Sequence, residues 1–244
     1  MRARCYWARP FPERTPTYRG AENMSDYRLD EGVAHISMDD GKVNALGTAT
    51  LARLNDQLDR AEKDGAASIV ISGRDGVFCA GFNLTEIRDP DAAQGLRGQL
   101  IDLVLRLFES EKPVVIACSG HALAAGAALL LAGDRRVGVD GAYKLGFNEA
   151  SLGVAISKAT VELARYRMPM PWFESIITGA TFTPGQAVAA GLLDQVVESH
   201  EVMISTSKGI ARELAGIAPP AFSAMKRVAR GDVADHVRLE RSRL

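Results

Sequence analysis

Little in this chain of 244 residues suits cross-linking, metal capture or membrane passage. Its three cysteines, Cys5, Cys79 and Cys118, are too few and too irregularly spaced for a disulfide framework or a zinc site. They fit a reducing, cytoplasmic setting. Its four histidines, His35, His121, His200 and His236, show no metal-ligand spacing, so no metal is expected. The formal net charge of −1 gives no general attraction for nucleic acid or a membrane surface. The longest apolar run, residues 122–132, is too short to span a bilayer and is rich in Ala and Gly. There is no Gly-x-Gly-x-x-Gly after a strand, no Walker-type Gly-Lys-Ser/Thr and no Gly-x-Ser-x-Gly elbow, which argues against dinucleotide binding, P-loop chemistry and serine hydrolysis.

What is present is ordinary soluble-protein material, 47% hydrophobic and 24% charged, enough for one large domain with a substantial core. Residues 1–23 differ from the rest: Arg2, Arg4, Arg9, Arg14 and Arg19 are interleaved with Pro10, Pro12 and Pro16, without the apolar stretch of a secretory signal. They read as a flexible extension, with Met24 as a natural start. Beyond it the periodicities alternate. Residues 27–29 and 33–38, around Asp30-Glu31-Gly32, predict a hairpin. Leu51, Leu54, Leu58 and Ala61 mark one helix face, and Leu100, Leu103, Val104, Leu107 and Phe108 another. Residues 68–72 and 114–118 are apolar runs of strand length; 135–139 and 143–147 predict further strands. The order of strands and helices is α/β, with strand-strand-helix units rather than strict alternation. Helices are predicted over 184–190, 202–214 and 220–229, with a frayed charged tail from 238.

Two small-residue segments stand out, Phe78-Cys79-Ala80-Gly81-Phe82-Asn83-Leu84 and Gly120-His121-Ala122-Leu123-Ala124-Ala125-Gly126-Ala127-Ala128, followed by one carboxylate in Leu145-Gly146-Phe147-Asn148-Glu149. Each segment follows a predicted strand and leads towards a helix, where backbone N–H groups lack intrahelical partners. The spacing alone fits two readings: tight connections with small residues for packing, or paired donors for a developing oxyanion beside a single base. His121, without a catalytic partner in sight, reads as a hydrogen-bonded structural histidine.

From about residue 24 to 229 the chain resembles the crotonase superfamily of enoyl-CoA hydratases and isomerases. The matching segments are Asn44-Ala45-Leu46, the two turns above, Ala132-Gly133-Asp134-Arg135-Arg136-Val137, Glu149-x-x-Leu152-Gly153, and the stretch from Gly179 through Phe182 and Ala187 to Gly191-Leu192-Leu193-Asp194-Gln195-Val196-Val197. The resemblance implies a crotonase-like spiral of ββα units over 24–198, with a C-terminal helical layer over 199–244 that forms a homotrimer or a dimer of trimers. It implies an acyl-CoA thioester substrate, as in fatty acid β-oxidation, with coenzyme A part of the substrate and no separate cofactor. It places the N–H groups of Phe82 and Ala125 in an oxyanion hole. The Ala80 backbone falls where the family meets the CoA adenine, and Lys226 and Arg227 are candidates for its phosphates. Ala45, Ala80, Phe82, Leu84, Ala125 and Phe147 are the expected substrate contacts.

Hydratases of the superfamily use two glutamates. Here the first position is Ala128 and the second is Glu149. One carboxylate suffices to take a proton from C2 and return it to C4. The Gly146-Phe147-Asn148-Glu149 stretch is similar to that of Δ3,Δ2-enoyl-CoA isomerases, as is Leu84-Thr85-Glu86-Ile87. The expected activity is therefore 3-enoyl-CoA to 2-enoyl-CoA isomerisation. The alternatives are a hydratase with a degenerate first glutamate, with Glu86 or Asp140 holding water, and a non-catalytic or RNA-binding scaffold. Ser157 stands where the halogen-removing members need an aspartate. Ala125 replaces a usual glycine, so strain is expected there if that residue requires φ > 0.

Overall fold

The computed structural model describes residues 25–244, so the extension expected over 1–23 lies outside the described residues. Strands β1 (Ser25–Asp30) and β2 (Val33–Met38) form the expected antiparallel hairpin, with Gly32 at φ +78° in its turn. Next come α1 (Thr48–Lys63), β3 (Ser68–Ser72), β4 (Gly76–Cys79) and α2 (Pro90–Glu109). A second unit repeats the plan with β5 (Val114–Cys118), β6 (Gly120–Leu123) and α3 (Ala125–Ala132). A third runs through β7 (Arg135–Val139) and β8 (Leu145–Gly146) to α4 (Lys158–Arg167). Two single-turn helices, α5 (Met170–Phe173) and α6 (Ser175–Thr178), lead to α7 (Pro184–Ala189), β9 (Gln195–Val197), α8 (His200–Ala215) and α9 (Pro219–Arg241).

Each unit sends its first strand to a six-stranded sheet, ordered β1-β2-β3-β5-β7-β9, and its second to a three-stranded sheet, β4-β6-β8. All pairs after the hairpin are parallel. This is the spiral of ββα units. The large sheet is covered on both faces, as parallel sheets require. Alternation along β3 and β5 sends Ile69, Ile71, Val114 and Ile116 into the main core and Val70, Val115 and Ala117 into a second cluster with Met203 and Ala211 of α8. Leu51, Leu54 and Leu58 of α1 are buried in the main core, each worth roughly 1.5–3 kcal/mol relative to exposure.

Three expectations need correction. Strands β4 and β6 were not expected as separate elements: at four residues each they are too short to show alternation, and glycines at Gly76 and Gly120 read as turn. Only Leu145–Gly146 of the strand expected over 143–147 pairs, with β6. The tail is not frayed, because α9 continues to Arg241. Its end is fastened by Arg241 to Asp102 (two contacts at 2.9 Å), Lys158 to Glu240 (2.9 Å) and Arg238 to Glu109. Deeper along α9, Lys226 and Arg230 reach the same buried carboxylate, Asp134, at 2.9 and 2.8 Å. The 199–244 region thus serves this chain's own core: α8 covers the sheet, and α9 lies on α2 and α4.

Candidate functional site

The geometry of the site begins at Asn44. Its backbone sits at φ +52°, a conformation that asparagine tolerates better than most residues. Its side-chain amide donates to Met38 O (3.0 Å) and Phe78 O (3.1 Å), tying the end of β2 to β4. The chain beyond it then runs alongside the first turn. Ala80 N donates to Val43 O (3.0 Å), Leu46 N to Gly81 O (2.8 Å) and Asn83 N to Leu46 O (2.8 Å). In this parallel bridge between Leu46 and Phe82, the N–H of Phe82 points away from Leu46. It makes no backbone hydrogen bond among the described residues.

The second turn is held on both sides of one strained residue. Ala124 has φ +51° and ψ −117°, outside the regions open to residues with a Cβ. Ala124 N donates to Gly146 O (3.0 Å), and Ala124 O accepts from Ala128 N (3.1 Å). Ala125 follows as the first residue of α3, where its N–H has no intrahelical acceptor. The strain expected at Ala125 is therefore located one residue earlier, since Ala125 itself does not have positive φ. Two glycines let the turns meet. At Gly81 (φ +104°) a Cβ would lie 3.3 Å from Leu123 O and 3.8 Å from Ala125 N, and at Gly126 it would strike Cys79 O at 2.3 Å.

Phe82 and Ala125 consequently share the wall of one cavity of about 120 Å³, with Ala80, Leu84, Ala128 and Glu149. Glu149 is half-buried and opens a 3-10 turn (Glu149–Leu152) just after β8. Its Oε2 is buried with no hydrogen-bond partner among the described residues. Burial raises its pKa above the ordinary 4.5, against a weaker lowering by its own backbone N–H. It is the only Asp or Glu lining the cavity among the described residues. Ala128 is 2% exposed on the same wall and offers only a methyl group. Two unpaired donors and one carboxylate whose pKa burial raises can hold an oxyanion and move a proton beside it.

The remaining expected contacts divide. Ala80 and Leu84 lie on the cavity wall, and Leu84 is exposed at its rim. Ala45 sits beside the first turn, outside the lining. Phe147 belongs to the core, at 2% exposure, and is not part of the cavity lining. Lys226 is committed to buried Asp134 and is not available to a phosphate, while Arg227 is exposed and turns to Ser223 and Glu111. His121 is structural: its Nδ1 accepts from Lys144 N (3.1 Å), and its ring meets Tyr143 edge-on. Glu86 caps the start of α1, accepting from Thr48 N (2.8 Å) and Oγ1 (2.9 Å), and neither it nor Asp140 lines the cavity. Arg97, Asn148, Ser157 and Thr160 also line the cavity, and none of them was expected as a contact. Arg97 could have been found one helical turn before Leu100 and Ile101, and Asn148 from its place beside Glu149. No cluster of potential metal ligands occurs among the described residues, and no helix there is long and apolar enough to cross a membrane.

The sequence profile of the enoyl-CoA hydratase/isomerase family matches residues 28–241. Among curated proteins, human mitochondrial enoyl-CoA delta isomerase 1 is 32% identical over 192 residues, 75% of this chain and 63% of the human protein. A probable enoyl-CoA hydratase, EchA17 of Mycobacterium tuberculosis, is 30% identical over 223 residues, 87% of this chain and 83% of its own. The chain spans only 25% of a guinea-pig peroxisomal bifunctional enzyme to which it is 34% identical. Among solved structures, the apo form of a Mycobacterium tuberculosis enoyl-CoA isomerase superposes with a TM-score of 0.86 at 36% identity, covering 90% of this chain and 96% of that one.

Two outcomes follow from the site geometry. Ala124→Gly should relieve about 1–3 kcal/mol of backbone strain, less about 0.4–1 kcal/mol for the freer unfolded chain. Its midpoint in denaturant should rise, and a fall would show that Ala124 is unstrained. For Glu149, a raised folded pKa favours the protonated fold. That stability is fully present below the ordinary carboxylate value and is lost as pH rises through the folded pKa. Glu149→Gln should therefore melt above wild type near pH 8, with the gap closing near about pH 4. A gap that is constant over this range would contradict the burial of the charge.

Proposed function

We propose that this chain, which belongs to the enoyl-CoA hydratase/isomerase family, is an isomerase that shifts the double bond of a 3-enoyl-CoA thioester to the conjugated 2-position. The observation that carries this reading is that Glu149 is the single carboxylate lining the cavity among the described residues, with Ala128 on the same wall where the resemblance puts the second acid–base group of a hydratase.

In the proposed scheme the thioester oxygen lies on the N–H groups of Phe82 and Ala125. Glu149 removes a proton from C2, and the electron pair delocalises into a dienolate whose negative oxygen those donors stabilise. The protonated carboxyl then returns the proton to C4, and the double bond moves between C2 and C3. Burial of Glu149 supports both halves, since a carboxylate with a raised pKa is a stronger base and its acid form persists long enough to deliver the proton. The exposed rim at Ala80 and Leu84 supports an entry for the CoA moiety. Exposed apolar side chains on α9, Met225 and Val228, support assembly into the trimer that the resemblance implies.

A purified sample given 3-hexenoyl-CoA should generate the absorbance of a conjugated thioester. Glu149→Gln should lower kcat by roughly 10²–10⁴-fold with little change in KM. Hydration of 2-hexenoyl-CoA should be negligible by comparison. Hydration faster than isomerisation, or near-normal isomerisation by Glu149→Gln, would overturn the proposal.

A further inference from the structure

Arg97 is, with Glu149, one of the two charged residues on the cavity wall among the described residues. It projects from α2 one turn before Leu100 and Ile101, which line the same wall. It is half-buried, yet among the described residues it donates no hydrogen bond and has no carboxylate within ion-pair distance. Other arginines of this helical layer are matched. On α2 itself Arg106 holds Asp59 and Glu62, and from α9 Arg230 holds Asp134 and Arg241 holds Asp102. No ion pair joins Arg97 to Glu149, whose Oε2 is itself without a hydrogen-bond partner among the described residues. The two charges therefore stand apart within one cavity, sharing a wall with the apolar side chains of Leu100, Ile101 and Ile156. A guanidinium carries five donors in a planar fork that matches a carboxylate, and here no protein group uses them.

We propose that Arg97 reads a carboxylate at the far end of the acyl chain, so that the preferred ligand is the mono-CoA thioester of a dicarboxylic acid whose methylenes lie along Leu100 and Ile101. The distal carboxylate takes no part in bond making; it fixes how deeply the chain enters and so where C2 and C4 lie relative to Glu149. For turnover this rests on the isomerase reading, but the binding preference does not. A phosphate of CoA offers the same anionic chemistry, and the experiment separates the two sources.

Dissociation constants should be measured for adipoyl-CoA and hexanoyl-CoA, which carry no double bond to shift, and for the corresponding S-acyl pantetheines, which lack the nucleotide phosphates. Wild type should prefer the adipoyl ester by roughly 10–100-fold with either carrier, the range expected of one charge-assisted pair. Arg97→Leu should bring that ratio to about one, and Arg97→Lys should give an intermediate ratio because the fork is lost. Equal binding of both acyl groups by wild type would overturn the proposal. So would an Arg97→Leu defect that weakens both CoA esters alike and spares both pantetheine esters, which would assign Arg97 to a phosphate. If wild type prefers the diacid ester but shifts the double bond of neither 3-hexenoyl-CoA nor 3-hexenedioyl-CoA, the proposal for Arg97 stands and the isomerase reading falls.

Discussion

Everything the site can do depends on one turn held against its own preference. Ala124 occupies a backbone region that a Cβ disfavours, and it stays there because its N–H is bound to Gly146 and its carbonyl to Ala128. Those two bonds fasten the turn to β8 on one side and to the first turn of α3 on the other. The peptide between Ala124 and Ala125 is thereby fixed, with a donor at its end that no protein group claims. Strain of this kind survives only where surrounding structure over-determines it. Here β4, β6 and β8 form a small sheet, and the segments that follow its three strands carry Phe82, Ala125 and Glu149 to one cavity wall. The close approach of α3 to Cys79, possible only at Gly126, completes the frame.

Against this rigid pair of donors the acid–base provision is sparse. Family membership fixes a shared framework and leaves the reaction to the side chains placed on it. Relatives named as isomerases and as hydratases match this chain at similar identity, so overall likeness does not choose between them. The cavity wall carries Glu149, and a methyl group at Ala128. Other carboxylates that could have held water are occupied elsewhere. Glu86 caps α1, and Asp140 lies outside the cavity, where it accepts from the neighbouring Gly141 N.

The fold was legible wherever burial imposes a period. Leu51, Leu54 and Leu58, or Ile69 and Ile71, announce their elements because a helix or a two-faced strand must repeat its apolar contacts. Strands β4 and β6 were not legible, since four residues bounded by glycine carry no period. The end of α9 carries no such period: Arg238 and Arg241 look like a solvated tail until Glu109 and Asp102, more than a hundred residues away, are placed beside them. For the site, the two turns and Glu149 could be picked out as segments, and the resemblance supplied their roles. What could not be read was three-dimensional aim: that Phe147 turns inward, that Lys226 is spent on Asp134, that the strain sits at Ala124 rather than Ala125, and that Arg97 faces the cavity.

The central claim is that one carboxylate carries a proton from C2 to C4. The most direct measurement is the fate of deuterium from 2,2-dideutero-3-hexenoyl-CoA, followed by NMR in ordinary water during a single turnover. A single shuttling carboxylate in a partly closed cavity predicts deuterium at C4 in a substantial share of the product. Product with no deuterium at C4, or product hydroxylated at C3, would contradict it.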